Sequence, residues 1–191
     1  MSPLWVPQIL VPQNVLRPTG ADYETFPRQG TITQPAAITV GVLWLHGINL
    51  PAGLSVGHIC WDANTTGAGT PTHWWFGLYD LNRVQLAVTA DQTTTAWAAS
   101  AVKNLAVATT AAGAATSFRT TYTGLHYLGV MVAATTTPTL NGGGITVGVY
   151  GQAPVMWGGT SDTAQTTPPA FPHTVTTHTA SSATVYAWEG A

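Results

Sequence analysis

Gly53-Leu54-Ser55-Val56-Gly57 has the form G-x-S-x-G, the nucleophile elbow in which a sharp strand-to-helix turn presents a serine above a parallel sheet. The flanks oppose that context. Pro51-Ala52-Gly53 is a turn that enters a strand, and the stretch from Val56 to Trp61 does not start a helix. The match therefore reads as coincidence. His58 and Cys60 stand two apart, hence on one face of a strand. With His46 or His73 from neighbouring strands they have the softness for a metal, but no second cysteine lies near to complete a set. Buried, hydrogen-bonded histidines are the expectation, and no metal is assigned. A glycosidase needs two carboxylates facing each other across a cleft, and Asp62, Asp80 and Asp91 are the candidates. Each has a structural task instead: Asp62 ends a strand before a loop, Asp80 opens a turn, and Asp91 caps a short helix. No catalytic residue and no cofactor is expected.

The aromatic residues are the stronger candidates. Trp74, Trp75, Phe76 and Tyr79 fall in one strand, so Trp74 and Phe76 face one way while Trp75 faces the other. One face must be core. If the other is exposed, a tryptophan there stacks on a sugar ring or anchors a subunit contact; burial on both faces is the competing reading. Trp157 and Trp188, in the less regular C-terminal part, are the expected interface anchors. Asn64-Thr65-Thr66 is a glycosylation sequon, expected to go unused because the N-terminal residues do not read as a secretory signal.

The elements that position these residues are β-strands. Ile38 to His46, Leu54 to Asp62, His73 to Asp80 and Val84 to Val88 are rich in β-branched and aromatic residues and are separated by turn chemistry. Leu81-Asn82-Arg83 predicts a hairpin between the last two. Only Ala90 to Ser100 invites a helix, of one or two turns, with Trp97 pointing inward. Asn141 to Gly144, NGGG, reads as a flexible tip between strands. Prolines at 3, 7, 12, 18, 27 and 35 make residues 1–35 an extended N-terminal arm. Residues 36–152 form the β-sandwich or jelly-roll domain. Residues 153–191 are a proline- and threonine-rich C-terminal extension with a final strand, packed on the same domain or on a neighbour.

Only 6% of the chain is charged, against roughly 25% in an ordinary soluble domain. The net charge of -2, with Arg17, Arg28, Arg83, Lys103 and Arg119 scattered singly, excludes a nucleic-acid footprint. The longest apolar region, Ala36 to Trp61, is interrupted by His46, Asn49, Pro51 and His58, which argues against a membrane-spanning helix. Cys60 stands alone, so no intrachain disulfide forms. A surface poor in charge implies contact with neighbouring subunits.

Three stretches carry a resemblance: LYDLNRVQLAVTADQTTTAWAASAVKNLAVATT, TYTGLHYLGVMVAATTTPTL and GTSDTAQTTPPAFPHTVT. Over roughly Trp74 to Trp188 the chain resembles small virion structural proteins of tailed bacteriophages, especially those infecting actinobacteria, of minor-tail or decoration type. The block from Leu78 to Trp97 is the most specific part. The resemblance implies a β-sandwich or jelly roll assembled into symmetric virion parts, frequently homotrimers, and brings no catalytic motif. The expected role is a subunit of a tail-tip or fibre assembly that touches the host surface. A capsid decoration or head-fibre protein is the alternative, and a module binding host cell-wall glycan a further one. Other virion proteins are the expected partners, in particles assembled in the host cytoplasm.

Overall fold

A computed structural model describes residues 23–25, 32–144, 159–180 and 183–190. The strands are β1 (Tyr23–Glu24), β2 (Ile32–Ala37), β3 (Leu43–Leu50), β4 (Ser55–Val56), β5 (His58–Asp62), β6 (Gly69–Tyr79), β7 (Gln85–Thr89) and β8 (Val102–Thr110). They continue with β9 (Gly113–Ala114), β10 (Phe118–Arg119), β11 (Gly124–Thr136), β12 (Thr139–Gly144), β13 (Gly159–Ser161), β14 (His178–Ala180), β15 (Ala183–Val185) and β16 (Ala187–Gly190). No helix occurs among the described residues, so none there is long and apolar enough to cross a membrane. The all-β, antiparallel sandwich class read from the sequence is the class observed.

One large sheet runs β1-β16-β5-β8-β7-β6-β11-β3-β13-β14, with β9 appended to β8; β10-β4 and β15-β12-β2 form two small sheets. The large sheet curls on itself. Trp61 of β5 meets His46 of β3, five strands away in the sheet order, with ring centroids 5.5 Å apart. Tyr23 of β1 packs on the same interior, and Leu140 of β12 and Val185 of β15 close it.

Period-two geometry sorts the side chains. Trp74, Phe76 and Leu78 enter the interior with Ile48, Ile59, Trp61, Leu128, Val130 and Val132. Trp75 and Tyr79 point to the outer face, with Leu43, Leu45, Tyr127, Met131 and Val175. Strands β3 and β6 are thus buried on both faces, which is why their apolar runs do not alternate as the half-buried β7 does. Gly77 and Gly129 are register partners, and a Cβ at either would come within 2.8 or 2.7 Å of the Tyr79 ring. Two facing glycines make room for that ring.

The hairpin around Leu81-Asn82-Arg83 is present, β6 pairing with β7. Asp80 makes it: its carboxylate accepts the Val84 N–H (2.8 Å) and its carbonyl the Arg83 N–H (2.9 Å). Two expectations are corrected. Ala90 to Ser100 is not helical, because Thr93 and Ser100 hold left-handed backbone (φ 46° and 52°), which no α-helix tolerates. Asp91 caps a turn there, accepting the Thr93 N–H (3.0 Å), while Trp97 does point inward. Nor is NGGG a flexible tip: it belongs to β12, whose partners β2 and β15 fix its backbone. The boundary drawn after residue 35 falls inside β2. The C-terminal part supplies β13, β14 and β16 to the large sheet, and residues 162–177 run without a named strand between β13 and β14.

Candidate functional site

The tryptophans nominated as binding surfaces are mostly committed to the fold. Trp74 is 0% and Trp75 1% exposed, so neither offers a face to a sugar or a neighbour. The reading with one face open is overturned because the interior fills one side of β6 and the second apolar cluster the other. Trp74 stacks obliquely on Trp97 (centroids 5.1 Å) and donates its indole N–H to the Thr95 carbonyl (2.9 Å). Segment 90–101 is therefore a lid over that ring. Trp188, on β16, is 9% exposed and lies against Tyr186 and Cys60, its ring 5.1 Å from that of Tyr186. Trp157 lies outside the described residues.

The other nominated residues are kept apart. Ser55 sits in the two-residue β4, paired with Arg119 of β10, and the chain runs on into β5 rather than into a helix. His46 faces the interior while Cys60 faces outward from β5. Asp91 accepts the Trp74 N–H (3.2 Å) and pairs with His73 Nδ1 (2.6 Å). Asp62, Asp80 and Asp91 each serve a different turn or strand end. No three His, Cys, Asp or Glu side chains gather among the described residues.

Two polar constellations escaped the sequence reading. The first lies on the outer face, where residues 162–177 meet the sheet. Ser161 Oγ is 2.8 Å from His178 Nδ1, and Asp162 pairs with His173 Nε2. The His173 N–H donates to Gln85 Oε1 (3.3 Å), the Gln85 N–H to the His173 carbonyl (2.8 Å), and the Gln85 side-chain amide to the Tyr79 hydroxyl (3.3 Å). Burial, then Arg83, lowers the His178 pKa, and burial, then Asp162, raises that of Tyr79 against the Gln85 hydrogen bond. A serine–histidine pair with a nearby aspartate has the makings of a triad. However, Asp162 is turned to the other histidine, and Ser161 is buried at 3% exposure. Chemically the set is a clasp that pins residues 162–177 to the sheet.

The second constellation opens to solvent. Asp62, Ala63, Asn64, Ser100 and Asn141 line a cavity of about 220 Å³. Asn141 donates its amide N–H to Asp62 Oδ2 (2.6 Å) and accepts from the Asn64 amide. The backbone around it is tied: Asn64 N–H to the Thr139 carbonyl (2.7 Å), Ser100 N–H to the Asn64 carbonyl (2.6 Å), Ala63 N–H to the Ala101 carbonyl (3.1 Å). Asn141 stands at a register break in which β12 advances from Leu140 to Gly142 while β2 goes from Ala36 to Ile32. Such irregularities re-aim side chains. A sequence signal existed for Asn64 only as part of a glycosylation sequon, and for Asn141 only as a loop residue.

The interior holds one polar ring of note. His46 accepts the Val185 N–H at Nδ1 (3.2 Å), which leaves its proton on Nε2, and it stacks parallel to Trp44 (centroids 6.2 Å). Burial, and secondarily His178, lowers its pKa from 6.5 to about 3, so the imidazole is neutral. No protein family, curated protein or solved structure matches this chain.

Proposed function

We propose that this chain is a non-catalytic structural subunit of a bacteriophage virion, a building block of a tail-tip or fibre assembly at the host surface. One observation carries the reading. Of the charged residues described, only Arg119 is exposed; Glu24, Asp62, Asp80, Arg83, Asp91, Lys103 and Asp162 are half-buried and Glu189 is buried. The other exposed residues among those described are threonine, alanine, glycine, serine, asparagine and Pro172, with Val40, Leu81 and Val102 as the large apolar exceptions. A described surface this poor in fully exposed charge does little to keep identical copies apart, which suits a subunit that lives packed among neighbours. The resemblance of Trp74 to Trp188 to small virion proteins supports the same reading and favours a homotrimer.

Purified particles test it. The expected result is a few to a few dozen copies per particle, from the stain intensity of this band relative to the major capsid protein. Hundreds of copies would move the subunit to the capsid shell as a decoration protein, and absence from particles would end the virion reading. Light scattering that found a stable monomer at micromolar concentration would contradict the packed-subunit reading itself.

A further inference from the structure

We infer that the cavity between the end of β5, the loop after it, the 97–101 segment and β12 binds one sugar ring of a neutral glycan. Its vicinal hydroxyls would be held by Asp62, Asn64, Ser100 and Asn141. The hydrogen-bond chain that builds the site leaves unused capacity on every member. Asp62 Oδ2 takes the Asn141 amide, leaving Oδ1; the Asn64 side-chain amide donates to Asn141 Oδ1, leaving Asn64 Oδ1 and one N–H on each side-chain amide. Ser100 Oγ, which donates to the Asn64 backbone carbonyl (3.4 Å), adds an acceptor at the exposed rim. The lining therefore offers both donors and acceptors. Adjacent sugar hydroxyls each donate and accept, and so match such a lining.

Charge and size narrow the ligand. Asp62 is the one ionic group in the lining, and no cation accompanies it, which disfavours anions. A hard divalent cation takes six or more oxygens, usually from several carboxylates, and the lining has one carboxylate. The cavity, about 220 Å³, is many times the roughly 10–15 Å³ that one water needs. It has room for a single ring. The site is preorganised by its backbone hydrogen bonds and by Ser100 held at φ 52°. No aromatic residue lines it, so affinity comes from hydrogen bonds alone and is weak per copy; a symmetric assembly multiplies it. The inference rests on the virion reading for the source of the sugar, the host surface, and for the multiplication of affinity over copies.

The test is saturation-transfer NMR on the full-length protein with glucose, galactose, mannose, arabinose and N-acetylglucosamine in turn. At least one sugar is expected to receive saturation, and Asn141→Ala and Ser100→Gly are each expected to weaken its apparent Kd by about fivefold, the loss of one hydrogen bond. Glycine accepts the left-handed backbone of position 100, so Ser100→Gly keeps the fold and decides the matter if Asn141→Ala unfolds. No transfer to any of the five sugars overturns the inference, as does a Ser100→Gly protein that binds like the wild type. A chain counted in particles that binds no sugar sinks this inference alone. A chain that binds sugar but is absent from particles sinks only the virion reading.

Discussion

The two faces of the large sheet are stabilised by different means. Inside, Trp61, Trp74, Phe76 and Trp97 form a continuous set of aromatic contacts with centroids 5.1 to 6.2 Å apart. The one imidazole among them, His46, is kept neutral. Outside, an apolar patch around Trp75 and Tyr127 is sealed by a polar clasp, with Asp162 on His173 and Gln85 on both Tyr79 and the His173 backbone. The interior draws chiefly on aromatic area and shape, whereas the outer face adds to its smaller apolar cluster the hydrogen bonds of the clasp. Damage to the first should be global, and damage to the second local.

The sharpest way to break that contrast is Trp61→Ala. Deleting a fully buried indole should cost about 3–5 kcal/mol by chemical denaturation. A cost no larger than that of an outer-face substitution would erase the distinction.

Next comes acid. The folded pKa of His46, about 3, lies below the unfolded 6.5, so between these values the unfolded chain binds the extra proton. His46 thus contributes stability that is complete above pH 6.5 and is lost as pH falls toward 3, by at most about 1.4 kcal/mol per pH unit. Urea midpoints of wild type and His46→Leu should converge or cross between pH 7 and pH 4. A gap independent of pH would show that His46 is not buried as described.

Asp162→Asn should cost less, about 1–3 kcal/mol, because it weakens one charged hydrogen-bond pair. Hydrogen exchange should quicken in residues 162–177 while the strands of the interior keep their protection. Uniform acceleration across β5 and β6 would join the two faces into one cooperative unit.

The smallest effect concerns Cys60. Burial, then Glu189, pushes its thiol pKa up to about 12, so a disulfide reagent at pH 8 should label it only after denaturant is added. Rapid labelling of the native protein would mean that the outer surface over β5 and β16 is open.

Legibility followed range. Asp80 and the hairpin were readable because a turn is a matter of four or five adjacent residues, whereas Asp91, expected to cap a helix, caps a turn. The helix expected over 90–100 failed at Thr93 and Ser100. Thr93 takes left-handed backbone beside the Asp91 carboxylate that accepts its N–H, and Ser100 takes it where its N–H reaches the Asn64 carbonyl, 36 residues away. The cavity was invisible for the same reason: Asn141 lies 79 residues from Asp62 and 77 from Asn64. Likewise Gln85 and the His173 backbone meet across 88 residues.

The sequence by itself determined the β class, the parity that sends Trp74 and Phe76 one way and Trp75 the other, and the poverty of charge. These follow from period two and from composition. Tertiary structure decided that both faces of β6 are covered, that Asp162 serves His173 rather than the Ser161–His178 pair, and that Asp62, Asn64, Ser100 and Asn141 share one cavity. Those outcomes depend on which strands become neighbours when the sheet curls. Pairing is a competition among distant segments, settled by burial of the aromatic interior rather than by any signal within a segment.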